Sequence, residues 1–185
     1  MSGDSAAFDH LIHWVGDLEG AAAEYTDIGL PVHDALAMEG FRNSAWGIDD
    51  ERYVELATVT DWEAVTASKY AGSLEILRPA VDALASGGQG GDGLITFAID
   101  VADASATAER LREAGHEVDE APVWFEDRGV GFLEIFVRDA PSYFPFFITY
   151  DPPRAELGKT RAAYRKEHGI EQPLNPGDLV ALLIC

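Results

Sequence analysis

The chain has 185 residues, 47% hydrophobic and 25% charged, an ordinary globular balance that suits one compact domain or two small modules sharing a core. Thirteen Lys and Arg stand against 33 Asp and Glu, and the formal net charge of −20 disfavours nucleic acid and anionic membranes as partners. No apolar run reaches the roughly 18 residues of a membrane span, and residues 1–7 lack the basic and apolar parts of a secretory signal. The single cysteine, Cys185, has no partner for an internal disulfide, so a reducing, cytoplasmic setting is expected. Only Lys69, Lys159 and Lys166 are lysines, which fits a salt-adapted or GC-rich source.

Residues 8–15 are apolar and β-prone around His10 and His13. Asp17 can cap a helix over 19–28, because its carboxylate accepts from orphan backbone N–H groups. Gly29 supplies the left-handed stop. Strands are predicted at 30–38, 41–48 and 52–60, separated by Gly40 and by the Asp49-Asp50-Glu51 turn. Along the third, Val54 and Leu56 share one face; Tyr53, Glu55 and Ala57 share the other. Residues 61–86 read as helical, broken into two pieces by Gly72 and Pro79. The glycine-rich stretch 86–93 has no Gly-Lys-Ser/Thr and leads into a strand. It therefore fails the nucleotide fingerprints and reads as a linker.

The order then repeats. Residues 93–99 form a strand, Asp103 or Ser105 caps a helix through Ala114, and Gly115 ends it. Strands follow at 116–124, 130–138 and 145–150. Aligning Asp9 with Asp92 and Asp17 with Asp100 gives a period of 83 residues. Residues 154–168 can form a helix, and 178–184 are a final apolar strand candidate, expected to pair with a sheet edge in the same chain or in a second copy. A homodimer is thus one expectation. The modules divide the chain into 8–60, a connector at 61–92, 93–150, and an extension at 151–185.

Two βαβββ units, with Phe8-Asp9-His10, Gly40-Phe41-Arg42-Asn43, Tyr53-Val54-Glu55-Leu56 and Pro145-Phe146-Phe147-Ile148, resemble the vicinal-oxygen-chelate superfamily, nearest its glyoxalase-like branch. The resemblance covers about residues 8–150. It implies an α+β fold with an eight-stranded, incompletely closed barrel around a small-molecule cup. It also implies metal-ligand positions on the first and last strand of each module. His10 and Glu55 fill the first pair, a set suited to Zn, Mn, Fe or Ni. Gly93 and Thr149, or Phe147 one register over, fall on the second pair and are not ligands. No cofactor is assigned beyond that half site.

Glu55 is costly to bury unpaired, so it requires a partner, a metal, a ligand or a raised pKa. His10 is read as a cup-lining group, hydrogen-bonded to Glu55, with metal ligation or base catalysis as alternatives. His13 falls on the helix side; His33, His116 and His168 read as surface. Asn43 can orient a substrate carbonyl. Ile12, Trp14, Tyr53 and Phe97 would wall the cup, and Trp124 and Arg128 would close its mouth, the arginine suiting a carboxylate. Three functions compete. One is a lyase- or isomerase-type catalyst with Glu55 abstracting a proton and His10 and Asn43, or a weakly bound metal, steadying the enolate. The second is a metal-free cup sequestering an antibiotic-like metabolite. The third is an acidic interaction module.

Overall fold

The computed structural model describes residues 6–87, 91–141 and 143–170. The strand candidate 178–184, its expected edge pairing and Cys185 lie outside the described residues. Eight strands form one strongly curled half-barrel sheet with five helices. The first module comprises β1 (Ala7–Trp14), α1 (Leu18–Asp27), β2 (Val32–Met38), β3 (Phe41–Gly47) and β4 (Tyr53–Val59). Two helices connect the modules, α2 (Trp62–Thr66) and α3 (Ala71–Ser86). The second module comprises β5 (Gly93–Asp100), α4 (Ala104–Glu113), β6 (Val118–Phe125), β7 (Val130–Val137) and β8 (Phe146–Asp151), and α5 (Arg154–Glu167) follows it. The strand order is β2-β3-β4-β1-β5-β8-β7-β6. The first strand of each module pairs parallel with the last, and β1 and β5 pair antiparallel at the centre.

The turn chemistry fixes the repeat, and it corrects the period. The helix caps are Asp17, accepting from the Gly20 amide, and Asp103, accepting from the Ala106 amide. Each helix is followed by a glycine in the left-handed region, Gly29 at φ 90° and Gly115 at φ 97°. Both pairs are 86 residues apart rather than 83. Asp103→Ala is expected to cost about 1 kcal/mol of stability, the usual worth of such a cap, read as a shift of the urea midpoint at unchanged slope.

The break in the connecting helix falls at residues 67–70. Gly72 and Pro79 both lie inside α3, contrary to the sequence expectation. Pro79 forfeits one helical hydrogen bond. The helix continues because Leu74, Leu77, Val81 and Leu84 pack into the main core across it.

Three apolar clusters hold the sheet. One fills its concave side, where Ile12, Trp14, Ala57 and Ile148 meet Leu74 of α3. The second packs α1 on the convex side around Leu11, Val15, Val54 and Leu56. The third packs α4 there around Ala108 and Ile135. Val54 and Leu56 thus face the helix, while Tyr53, Glu55 and Ala57 face inward, as the alternation required.

Two bulges at the β1–β5 seam decide which residues reach the concave side. Ile12 lies opposite Thr96 and His13 opposite Leu94, so Ile95 is an extra residue on β5. Beyond an extra residue, alternation shifts by one and every following side chain changes face. Phe97, expected in the cup, instead lies opposite Leu11 and packs outward with Phe8. The second irregularity falls between Phe8 and Leu11, so Asp9 and His10 are both buried although they are sequence neighbours.

Candidate functional site

The concave face holds a narrow chamber of about 70 Å³. Ile12 and Trp14 of β1, Phe41 of β3 and Leu74 of α3 give it an apolar wall; His10, Asn43, Tyr53 and Glu55 project into it from the first module. The structure thus brings His10, Ile12, Trp14, Asn43, Tyr53 and Glu55 to one cavity. The chamber opens into a wider vestibule of about 380 Å³, lined by Arg128, Arg52 and residues of α5. Asn43, Tyr53, Tyr70, Phe132 and Tyr150 border both spaces.

His10 is oriented by Asp9, not by Glu55. Its Nδ1–H donates to Asp9 Oδ1 at 2.6 Å, whereas Nε2 stands 3.6 Å from Glu55 Oε2. A carboxylate only accepts, so the bond to Asp9 places a proton on Nδ1. Tyr53 stacks on the imidazole at 4.6 Å between ring centres, and Phe146 meets it edge-on. Burial works against a charged imidazole. The hydrogen bond and charge of Asp9, then the charges of Glu55 and Glu134, outweigh it and raise the His10 pKa.

Asp9 is wholly inaccessible. Tyr150 donates to its Oδ1 at 2.8 Å, and Arg154 lies 3.4 Å from its Oδ2. Burial pushes its carboxyl up, but His10, Tyr150 and Arg154 together hold it below the usual carboxylate range. Arg154 itself, the first residue of α5, also faces Glu51 at 3.3 Å and Asp100 at 3.6 Å. One guanidinium thus ties the extension to both modules behind the imidazole.

Glu55 accepts from the Asn43 amide across the β3–β4 pair. Opposite them the second module contributes a carboxylate that the sequence reading passed over, Glu134 of β7. It is buried, accepts from Ser73 of α3, and lines the same chamber. Burial raises its pKa to about 7, against the Ser73 hydrogen bond and the charge of His10, while Glu55 pushes it further up. Its signal was present in the chain: Gly40-Phe41-Arg42-Asn43 recurs as Gly131-Phe132-Leu133-Glu134. The registers agree, with Asn43 opposite Ala57 on β4 and Glu134 opposite Ile148 on β8.

The structure moves the other second-module positions. By the 86-residue period, His10 corresponds to Thr96 rather than Gly93, and Thr96 donates to the Phe144 carbonyl. Gly93 sits opposite Trp14, where a Cβ would press on Leu84. On β8 the inward residues are Phe146 and Ile148. Phe147 packs outward in the α4 cluster, and Thr149 donates to the Val101 carbonyl. Trp124 does not close the mouth: it is 44% exposed on the outer face of β6, beside Gly131, because it alternates with the inward Val123 and Phe125. Arg128 does reach the mouth, over the Phe125 ring. His13 bonds the Tyr25 hydroxyl of α1, as its helix-side position required. His33 is not a plain surface group, since it lines the vestibule with Nδ1 buried.

The superfamily's divalent ion can be tested against these donors. His10 offers only Nε2 and Glu55 is bound to Asn43, while the second-module positions are Thr96 and Phe146. Among the described residues no three of His, Cys, Asp and Glu are arranged to hold a metal ion. A catalytic ion takes about three protein ligands, so this donor set does not fit one.

Paired βαβββ modules curled around an imidazole- and carboxylate-lined cup define a half-barrel of the vicinal-oxygen-chelate superfamily. The family model of the glyoxalase-like domain matches residues 8–173, and the chain belongs to that family. No curated protein matches the sequence. Among solved structures, a hypothetical protein from Staphylococcus aureus superposes with a TM-score of 0.63 at 19% identity, over 86% of this chain and 64% of that one. This chain therefore spans under two thirds of that relative. A methylmalonyl-CoA epimerase from Streptomyces coelicolor, in complex with 2-nitronate-propionyl-CoA, matches with a TM-score of 0.52 at 20% identity, over 77% of this chain and 93% of that one. The Mycobacterium tuberculosis methylmalonyl-CoA epimerase gives 0.50 at 20%, over 76% and 85%. At these identities the likeness is one of fold. Among the described residues no helix is long and apolar enough to cross a membrane.

Proposed function

We propose that the protein is an acid–base catalyst that removes and returns a proton beside a carbonyl of a small, partly apolar metabolite, an isomerase- or lyase-type reaction. The observation that carries this reading is the pair of buried carboxylates, Glu55 and Glu134, lining one chamber with His10. Glu55, steadied by Asn43, is the base. Glu134, with a pKa of about 7, holds or releases a proton near neutrality and serves as the second acid–base group. His10, whose pKa Asp9 raises, offers Nε2–H to the developing enolate in its protonated form. The apolar wall of Ile12, Trp14 and Phe41 limits water around the reacting carbon.

The test is deuterium uptake at the α-carbon, followed by NMR in D2O for a panel of acyl thioesters and 2-oxo acids that includes methylmalonyl-CoA. Glu55→Gln is expected to slow uptake by about 10²- to 10⁴-fold, the usual weight of a positioned base. Full uptake in that variant would remove Glu55 from the reaction.

A second reading, a non-catalytic cup that sequesters an antibiotic-like ligand, is favoured by the second module, where Thr96 and Phe146 stand at the inherited ligand positions. It predicts tight ligand binding with no uptake by the wild type.

A further inference from the structure

The protein carries 33 acidic side chains against 13 cations, yet its vestibule gathers Arg52, Arg128, Arg161 and Arg165. Three of these have a carboxylate at hand: Arg52 binds Asp49, Arg165 binds Asp50, and Arg128 lies 3.8 Å from Asp127. Arg161 differs. It lies over the Tyr53 ring, 4.7 Å from its centre, donates to the Glu51 carbonyl at 3.0 Å and to the Tyr150 hydroxyl, and feels the charge of Asp9 beyond ion-pair range. Among the described residues it enters no ion pair. A guanidinium carries five N–H donors in a planar fork, a shape that matches carboxylate and phosphate oxygens. In so acidic a chain, a partly buried arginine without a carboxylate is the exception that calls for one from outside.

A second group points to the same place. His33 lines the vestibule, and its Nδ1 is buried without a partner. Burial and the neighbouring charges of Arg165 and Arg161 hold its pKa low, against the pull of Asp34. The neutral ring therefore has an Nδ1 site that remains open to hydrogen bonding beside two guanidinium groups. Arg161 stacks on Tyr53, and Tyr53 stacks on His10, so the cation and the chamber lie on two sides of one ring.

From this juxtaposition we infer that the vestibule is the receptor for an oxyanion carried by the ligand, a carboxylate or a phosphate, with Arg161 as its main contact and Arg128 at the entrance. The substrate is then an acid whose charged end rests on Arg161 while its carbonyl end enters past Tyr53. This deepens the functional reading above and rests on chamber and vestibule serving one ligand.

Calorimetric titration of the full chain tests it, in about 0.15 M NaCl so that diffuse attraction is screened. The probes are malonate, inorganic phosphate and uncharged malonamide. Malonate or phosphate binding at one site is expected, and which of the two binds tells carboxylate from phosphate. Arg161→Met should weaken it at least tenfold, Arg161→Lys less, and the outer-surface variant Arg138→Met not at all. If Arg161→Met does not fold, Arg128→Met at the exposed entrance should still weaken binding severalfold. Equal affinity in both vestibule variants, or equal uptake of malonamide, overturns the inference. Glu55→Gln should bind the oxyanion as the wild type does. Arg161-dependent binding without any proton exchange therefore fails the catalytic reading alone and leaves this one standing.

Discussion

Replacing Asp9 with alanine is expected to lower stability by about 3–5 kcal/mol, because it removes the shared acceptor of three buried donors, the Arg154 guanidinium among them. His10 loses the acceptor of its 2.6 Å bond, Tyr150 loses the acceptor of its hydroxyl, and Arg154 keeps only the more exposed Glu51 and Asp100. Urea denaturation at pH 7 measures the loss, and a value under about 1 kcal/mol would show that water reaches the cluster. Asp9→Asn should cost less, since the amide oxygen still accepts from Tyr150, but it should let the imidazole pKa fall, read by NMR. The pH dependence has a definite sign. The Asp9 carboxyl is depressed, so its contribution is present above the ordinary carboxylate value of about 3.9 and is lost as pH falls through the lower folded value. His10 is raised, so its contribution is full below about 6.5 and is lost as pH rises through the higher folded value.

Glu134 works in the other direction. Its folded pKa of about 7 lies above the ordinary 4.5, so between those values the folded state holds a proton that the unfolded chain has released. Stability therefore falls as pH rises from about 4.5 to about 7, by an amount on the order of 3 kcal/mol, and levels off beyond. Burial is the cause, so Glu134→Gln, which keeps the shape and cannot ionise, is expected to abolish that fall. His13 and His33, both lowered chiefly by burial, bend the raw curve the opposite way below about 6.5. The informative quantity is the difference between variant and wild type across pH 4.5–8. Parallel curves would mean that Glu134 ionises as a solvated carboxylate does.

The half-barrel was legible in the sequence because its signals are local. Asp-capped helices, glycine stops and alternating strands recur in one order, and two such copies imply paired sheets. The first-module site was legible for the same reason: alternation alone puts Tyr53 and Glu55 on one face of β4 and His10, Ile12 and Trp14 on one face of β1. What failed lies downstream of single extra residues. A bulge at Ile95 turned Phe97 outward. The capping aspartate of the second module is Asp103, three places beyond the residue aligned with Asp17, so Thr96 was missed as the position matching His10. Glu134 is obscured because the second copy of the Gly-Phe motif ends in glutamate where the first ends in asparagine. Asp9, Tyr150 and Arg154 gave no local signal, since their partnership exists only in three dimensions.

The clamp on Asp9 has a consequence for how the protein comes into being. Asp9 and Tyr150 are separated by 141 positions, and Arg154, the first residue of the last helix, lies a few residues beyond Tyr150. Closing so long a loop is deferred until most of the chain is available. During synthesis the first module can settle its strands while Asp9 still lacks Tyr150 and Arg154. The cluster behind the imidazole is completed only when the last helix docks, so the buried polar heart of the first module is finished by the end of the chain.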